Sequence, residues 1–299
     1  MKYEITLISH LVLDDKIFYR ENKVIEEYNQ LGGPATYGLL VKPFINHEIK
    51  LLTSCAKDFP ISEIKTEAKN ITIIPSETTT RFKHEIFNDH RKLYLLNTAK
   101  KLDTKIQTID EGKACLCSPV FKEISTDSVK YLTKNHEITV VDIQGFLRFR
   151  EKNNLITYKF SQDEIIDILK MADFVKISYD EATIITQERS LSRIFTKLGG
   201  KSPIITLGKE GVAYKKEDRI FRIQAPLVKE VDPTGAGDVF ITAFLAKMIE
   251  TENIDYSIAF GIALSSHAVT TRGAAPLPKV NYEKITDQLL DTKSEIKIN

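Results

Sequence analysis

The chain carries no excess of either charge. Its 42 basic and 41 acidic residues leave a formal net charge of +1. That balance offers no electrostatic case for a nucleic-acid partner or an anionic membrane surface. Cysteine is scarce: Cys55, Cys115 and Cys117 are all there is. An odd, low count points to free thiols and a reducing, cytoplasmic location. Cys115 and Cys117 have the spacing of half a metal site, but they lie inside an apolar, strand-like run and read as core. No uninterrupted apolar stretch approaches the ~20 residues of a membrane helix. A strand pattern begins within a few residues of the first Met, which leaves no room for a targeting segment. Low-complexity tracts are also missing, and the composition is that of an ordinary globular chain.

Its 299 residues are enough for two domains or for one large α/β domain. The most specific stretch is Asp232-Pro233-Thr234-Gly235-Ala236-Gly237-Asp238, followed by an apolar run from Val239 to Ile249. Asp-Pro favours a turn, the small residues allow close approach of backbone to ligand, and the apolar run predicts a buried helix. The first N–H groups of such a helix have no internal partner and lie at the positive end of its dipole, which makes an anion site. Asp238 fits a helix cap. It also fits a base that takes a proton from a hydroxyl attacking the anion held by those N–H groups.

Before this stretch, residues 3–9 read as a buried first strand, with Asp14 and Asp15 in a turn just past its carboxyl end, where α/β sheets bind ligands. Alternating segments at 16–30 and 78–97 read as two hairpins, with turns at Glu21-Asn22 and Asn88-Asp89-His90. Gly32-Gly33-Pro34 predicts a helix start. Strands are predicted at 51–54, 71–75, 114–118, 138–144 and 174–178, and helices at 61–70, 121–134, 190–198 and 254–271. Residues 203–211 read as strand, turn and second strand. Gly200-Lys201-Ser202 has the tail of a phosphate-binding loop, but Phe195 stands where that loop needs glycine and a helix precedes it, so it is set aside.

The Asp232-to-Asp238 string is similar to the signature of the ribokinase-like family, the phosphofructokinase-B sugar kinases, and further motifs follow the family's order up to about Pro278. The resemblance implies a doubly wound, mostly parallel sheet with helices on both faces, in a single domain over residues 1–299, with a small β-sheet lid from the two hairpins. It implies that Asp238 is the catalytic base and that the amides of Gly235, Ala236 and Gly237 form the anion hole. Asp14, Gly32, Gly33 and Thr36 would bind the acceptor. Ser178, Thr206, Gly208, Gly211, His267 and Gly273 would lie along the nucleotide. Glu181 would organise water around Mg²⁺, and Asp232 would mark a turn beside a monovalent cation, K⁺. Ser178 stands where the family has Asn, a departure in the metal arrangement; Gln144 and Arg148 match a looser stretch near substrate or phosphate.

The expected reaction moves the γ-phosphoryl group of ATP to a hydroxyl of a small polyhydroxylated acceptor, a sugar or inositol-like polyol. A nucleoside kinase is the alternative, with Phe82, Phe87 and Tyr94 as a slot for the base. A non-catalytic sugar- or nucleotide-binding protein is the reading from another class. A homodimer through the lid is expected, because a two-hairpin sheet with one apolar face tends to find a partner.

Overall fold

The computed structural model describes residues 4–20, 23–64, 70–87 and 90–297. The chain opens with β1 (Glu4–Ile8), β2 (Val12–Arg20) and β3 (Lys23–Gly32), then helix α1 (Gly33–Leu39). Next come β4 (Glu48–Cys55), β5 (Ile71–Pro75), β6 (Thr80–Ile86), β7 (Arg91–Asn97), α2 (Asp103–Ile106) and β8 (Gly112–Cys117). A third stretch holds α3 (Thr126–Asn135), β9 (His136–Asp142), α4 (Gln144–Leu147), β10 (Arg148–Arg150), β11 (Ile156–Tyr158), α5 (Gln162–Met171) and β12 (Phe174–Ser178). The rest is α6 (Tyr179–Thr186), α7 (Leu191–Leu198), β13 (Pro203–Thr206), β14 (Val212–Lys216), β15 (Arg219–Ile223), α8 (Ala236–Thr251), α9 (Ile254–Ala268), α10 (Tyr282–Leu290) and β16 (Ser294–Ile296).

Ten strands form one sheet in the order β16-β15-β14-β13-β12-β9-β8-β1-β4-β5. From β13 to β5 every neighbouring pair is parallel, and the β13-β14-β15-β16 end is antiparallel. Its central strands are apolar on both faces because both are covered. Along β8, Ala114 and Leu116 join the core under α8 and α9, while Cys115 and Cys117 join the one under α3 and α5. The cysteine pair is thus buried core, and the thiol of Cys115 is pushed up to about 12 by that burial. Helix α8 is buried around most of its circumference, against the sheet on one side and α9 on the other.

A second sheet has the order β3-β2-β6-β7. Its two hairpins meet through the parallel pair β2 and β6. The first hairpin starts four residues earlier than its alternation predicts. Asp14 and Asp15 are therefore not in a turn past β1; they lie inside β2 and both are buried. Asp15 accepts from the Arg81 guanidinium at 3.0 Å and from the Asn29 N–H at 3.0 Å, so it ties β2 to its neighbours. Of the helix predicted over 61–70, Ile61–Glu63 forms a 3₁₀ turn, and residues 65–69 lie outside the described residues. The turn residues Glu21, Asn22, Asn88 and Asp89 also lie outside them. The strand predicted through Gln144 stops at Asp142, and Gln144 opens α4. The helix expected from Phe121 begins only at Thr126, where the Ser125 hydroxyl accepts from the Ser128 N–H and caps it. No described helix is long and apolar enough to cross a membrane.

Candidate active site

The site is organised by the turn that feeds α8. Asp232 Oδ1 accepts from the Thr234 N–H at 3.0 Å, a local bond that closes the turn. Gly235 follows at φ +80°, and a Cβ there would collide with the Tyr37 ring, so conformation and space both require glycine. The Ala236 N–H reaches Pro233 O at 3.3 Å. Among the described residues the N–H groups of Gly235 and Gly237 have no acceptor, as the first turn of a helix dictates. A side chain added at Gly237 would lie 3.0 Å from Lys176 Nζ, which places that ammonium beside the same helix end.

Two cavities meet at this turn, and Pro233 and Gly237 line both. The smaller, about 170 Å³, also holds Asp14, Gly33, Tyr37, His84, Arg91, Gln144, Arg148, Lys176 and Asp238. Burial, with Asp142 and Asp14 in support, pushes the Asp238 carboxyl up to about 7, against the pull of Lys176 and Arg148. Burial disfavours the Lys176 ammonium, but Asp142, Glu181 and Asp238 outweigh it and hold the group above its ordinary range. Its Nζ lies 2.9 Å from Asp142 Oδ2. Asp142 also accepts from Gln144 Nε2 at 3.2 Å. Gln144 Oε1 in turn accepts from Arg148 Nη2 at 2.8 Å, and Arg148 Nη1 donates to Val120 O at 2.8 Å. That chain of bonds aims Arg148 over the Phe82 ring, 5.6 Å from its centroid.

Across the same cavity, His84 Nε2 lies 3.0 Å from Asp14 Oδ1. Burial holds His84 below its ordinary range, with Asp14 opposing. Among the described residues, His84 Nδ1 is buried without a partner, as is the Tyr37 hydroxyl. Gly32 lets β3 pass close by, since a Cβ there would strike the Asp14 carboxylate.

The larger cavity, about 320 Å³, contains Thr206, Gly208 and Gly211 of the predicted set. Lys209 joins them, and the remaining wall is mostly apolar, with Val212, Ala225, Phe240, Ile262 and Val269. Other expectations fall elsewhere. His267 does not line the cavity: its Nδ1 lies 3.0 Å from Ala263 O and its ring packs edge-on to Tyr282. Ser265 and Ser266, two and one positions before it on α9, face the cavity instead. Gly273 donates its N–H to Asp232 Oδ2 at 3.1 Å. Ser178 and Glu181 form a reciprocal capping box on α6 and line neither cavity. Thr36 is buried in α1 and lines a separate void of about 30 Å³. Asp232 gives its carboxylate to the Lys16 ammonium at 2.7 Å. Of the three aromatics set aside for a base, only Phe82 reaches the smaller cavity. Phe87 stacks on Tyr19, and Tyr94 donates to Glu85 beneath Lys83.

Lys176, His84, Tyr37 and Arg91 escaped the sequence reading. Lys176 had a signal: it is the one charge in the apolar strand Phe174-Val175-Lys176-Ile177, where a buried cation needs a partner. His84 follows Phe82 at the strand period, on the inward face of β6. Tyr37 and Arg91 carried no local signal.

A model of the pfkB family of carbohydrate kinases matches residues 86–280. The ribokinase of Staphylococcus aureus strain COL is 32% identical over 117 residues, 36% of this chain and 38% of its own length. The chain thus matches well under half the length of that relative. Among solved structures, a pyrophosphate-dependent kinase of the ribokinase family, complexed with a pyrophosphate analogue and myo-inositol, superposes with a TM-score of 0.77 at 22% identity, covering 95% of this chain and 99% of that one. The ribokinase of Thermotoga maritima gives 0.71 at 18% identity, covering 97% and 99%. At such identities the likeness is one of fold: a large, mostly parallel sheet between helices, with a small second sheet.

Proposed function

Because the chain belongs to the pfkB family of carbohydrate kinases, we propose that it transfers the γ-phosphoryl group of ATP to a hydroxyl of a small sugar or polyol, inositol-like acceptors included. One observation carries the reading. The free N–H groups at the start of α8 lie between two cavities, and Asp238 faces only the smaller one with a carboxyl near pH 7. A donor in the larger cavity would bring its terminal phosphate to Gly237. An acceptor hydroxyl in the smaller would lie between that phosphate and Asp238.

Asp238 then takes the hydroxyl proton as the oxygen attacks phosphorus. The N–H groups of Gly235 and Gly237 and the Lys176 ammonium bear on the charge of the group in transit; a preorganised donor of this kind contributes about 3–4 kcal/mol where it has been removed and measured. Asp14, the unpartnered Nδ1 of His84 and the Tyr37 hydroxyl suit the remaining hydroxyls of the acceptor. Among the described residues no three His, Cys, Asp or Glu side chains are arranged to hold a metal ion directly. Glu181, whose carboxylate caps α6 and lines neither cavity, would hold Mg²⁺ only through water, and the ion would supply charge neutralisation on the donor's phosphates.

The mostly apolar wall of the larger cavity favours ATP over pyrophosphate, because a base needs such a wall and pyrophosphate does not. The charged lining and small volume of the other cavity favour a polyol over a nucleoside: about 170 Å³ is below the roughly 300–1,000 Å³ of sites for drug-sized ligands. The small sheet is proposed as a lid, and its edge strand β3, which exposes Val24 and Tyr28, as a dimer contact. A panel of sugars, inositols and nucleosides, each offered with ATP or pyrophosphate, tests the reading. Polyol-dependent ADP release is the expected result. Turnover with pyrophosphate alone would overturn the donor, turnover with nucleosides alone the acceptor, and none at all would leave a binding protein.

A further inference from the structure

Lys16 reaches out of the small sheet to the turn that carries the anion-binding amides. The register of β2 on β3 shifts between Asp14 and Lys16, an irregularity at Asp15. Lys16 points inward and is 1% exposed, and its Nζ lies 2.7 Å from Asp232 Oδ2, on a residue 3% exposed. The same oxygen accepts the Gly273 N–H at 3.1 Å, and Oδ1 accepts that of Thr234 at 3.0 Å. The backbone N–H of Asp232 donates to Val269 O at 3.2 Å. One buried carboxylate therefore joins β2, the turn before α8 and the segment after α9. Although burial opposes ionisation, the Lys16 and Thr234 contacts bring the Asp232 carboxyl down to about 2.

This arrangement does not fit the monovalent cation that the family resemblance implies beside Asp232. The carboxylate already has an ammonium against one oxygen and an N–H on each. A K⁺ ion would bring a second positive charge to a group whose single negative charge is matched. A buried ion pair with its remaining lone pairs satisfied is costly to break from either side, because the surviving charge is left uncompensated.

We propose that the Lys16 ammonium is a built-in monovalent cation, a positioning residue that holds the Asp232 turn in its anion-binding shape without K⁺. The effect on rate rests on the kinase reading above; the absence of a K⁺ site does not. Lys16 would also transmit the position of the small sheet to the Gly235 and Gly237 N–H groups, since it sits on one and bonds to the base of the other.

The test starts with the wild-type protein. Its melting temperature is measured in K⁺, Na⁺ and tetramethylammonium chlorides at one ionic strength, and the three should agree. A rise specific to K⁺ would reveal an ion site and overturn the proposal, whether or not any substrate is known. With an active acceptor in hand, the wild-type initial rate should be the same in the three salts; stimulation by K⁺ would overturn it too. Lys16→Ala, which leaves a space the size of the side chain, should lose kcat by about 10²-fold, the scale of a misplaced catalytic group, with the acceptor KM changed much less. Methylammonium or K⁺ should restore part of that loss, which a purely structural lysine would not allow. A folded Lys16→Ala protein with wild-type kcat in tetramethylammonium would overturn the proposal. Should that variant fail to fold, the wild-type melting series still decides.

Discussion

The larger cavity takes its wall from residues 206–212, 225–228 and 262–269 and the start of α8; the smaller takes one or a few side chains from each of β2, α1, β6, β7, α4, β12 and the turn before α8. The first is built from short contiguous segments, and glycines and apolar residues dominate it. The second is built from scattered charges that meet only in the folded chain. A base and a polyphosphate need a generic surface, a flat apolar wall and free N–H groups. A polyol needs individual hydrogen-bonding groups at set distances, and no contiguous segment supplies several of those pointing one way.

The contrast can be broken most sharply at Asp238, which faces only the smaller cavity. Asp238→Asn should fold and should bind nucleotide as well as the parent or better, since a negative charge beside the triphosphate is gone. Its turnover should fall by about 10²–10⁴, the range for loss of a general base. Initial rates and calorimetric titration with nucleotide check this. Near-normal turnover would reduce Asp238 to a helix cap and merge the two cavities into one binding surface.

The pH dependence sharpens the same point. The carboxyl of Asp238 is raised to about 7 in the fold, so its basic form accumulates only as pH rises through 7. The logarithm of kcat/KM should climb below that pH and level off above it, the mark of a required base. Stability runs the other way. The folded state binds the extra proton, so Asp238 contributes stability below its unfolded pKa near 4 and loses it as pH rises through about 7. Asp238→Asn should match the parent's melting temperature at pH 4 and exceed it at pH 8. A gap of the same size at both pH values would contradict the raised pKa.

A smaller effect is expected at Asp14. If Asp14 binds the acceptor as proposed, truncation to Ala removes a charged hydrogen-bond partner worth about 1.5–3 kcal/mol. If that bond is equal in ground and transition states, the loss appears as a rise of roughly 10- to 100-fold in acceptor KM with kcat nearly kept. Steady-state kinetics separate the two; a normal KM with a large fall in kcat would move Asp14 into the chemistry. The smallest signal is closure of the small sheet. Hydrogen exchange in β2, β3, β6 and β7 should slow when acceptor and a nonhydrolysable ATP analogue are both present. Unchanged exchange in all four strands would leave the smaller cavity open to water during turnover and remove the lid.

How far the chain alone could be read follows the same division. The sheet strands were legible because those buried on both faces are continuous apolar runs with turn residues between them, and Phe174–Ser178 falls within the limits its pattern predicts. The α8 turn was legible because Asp-Pro, Gly-Ala-Gly and an apolar helix are adjacent in sequence, so their chemistry is local. The start of β2 was misplaced because Leu11, Val12 and Leu13 are all buried at once, which hides the period-two pattern until Lys16. His267 faces either the nucleotide region or the core as far as the sequence tells, because an almost wholly buried helix gives no polar face from which to read its rotation; in the fold its ring packs on Tyr282.

The amino-acid sequence by itself determined the α/β layering, the two hairpins and a glycine-rich helix start with a carboxylate in its first turn, since each depends on residues within a few positions of one another. Only the tertiary structure decided that Asp14 meets His84, that Lys176 lies under Gly237, and that Lys16 stands against Asp232. Those last two partners are 216 residues apart. A buried charge must find its counter-charge wherever packing brings one, and sequence spacing says nothing about where that will be.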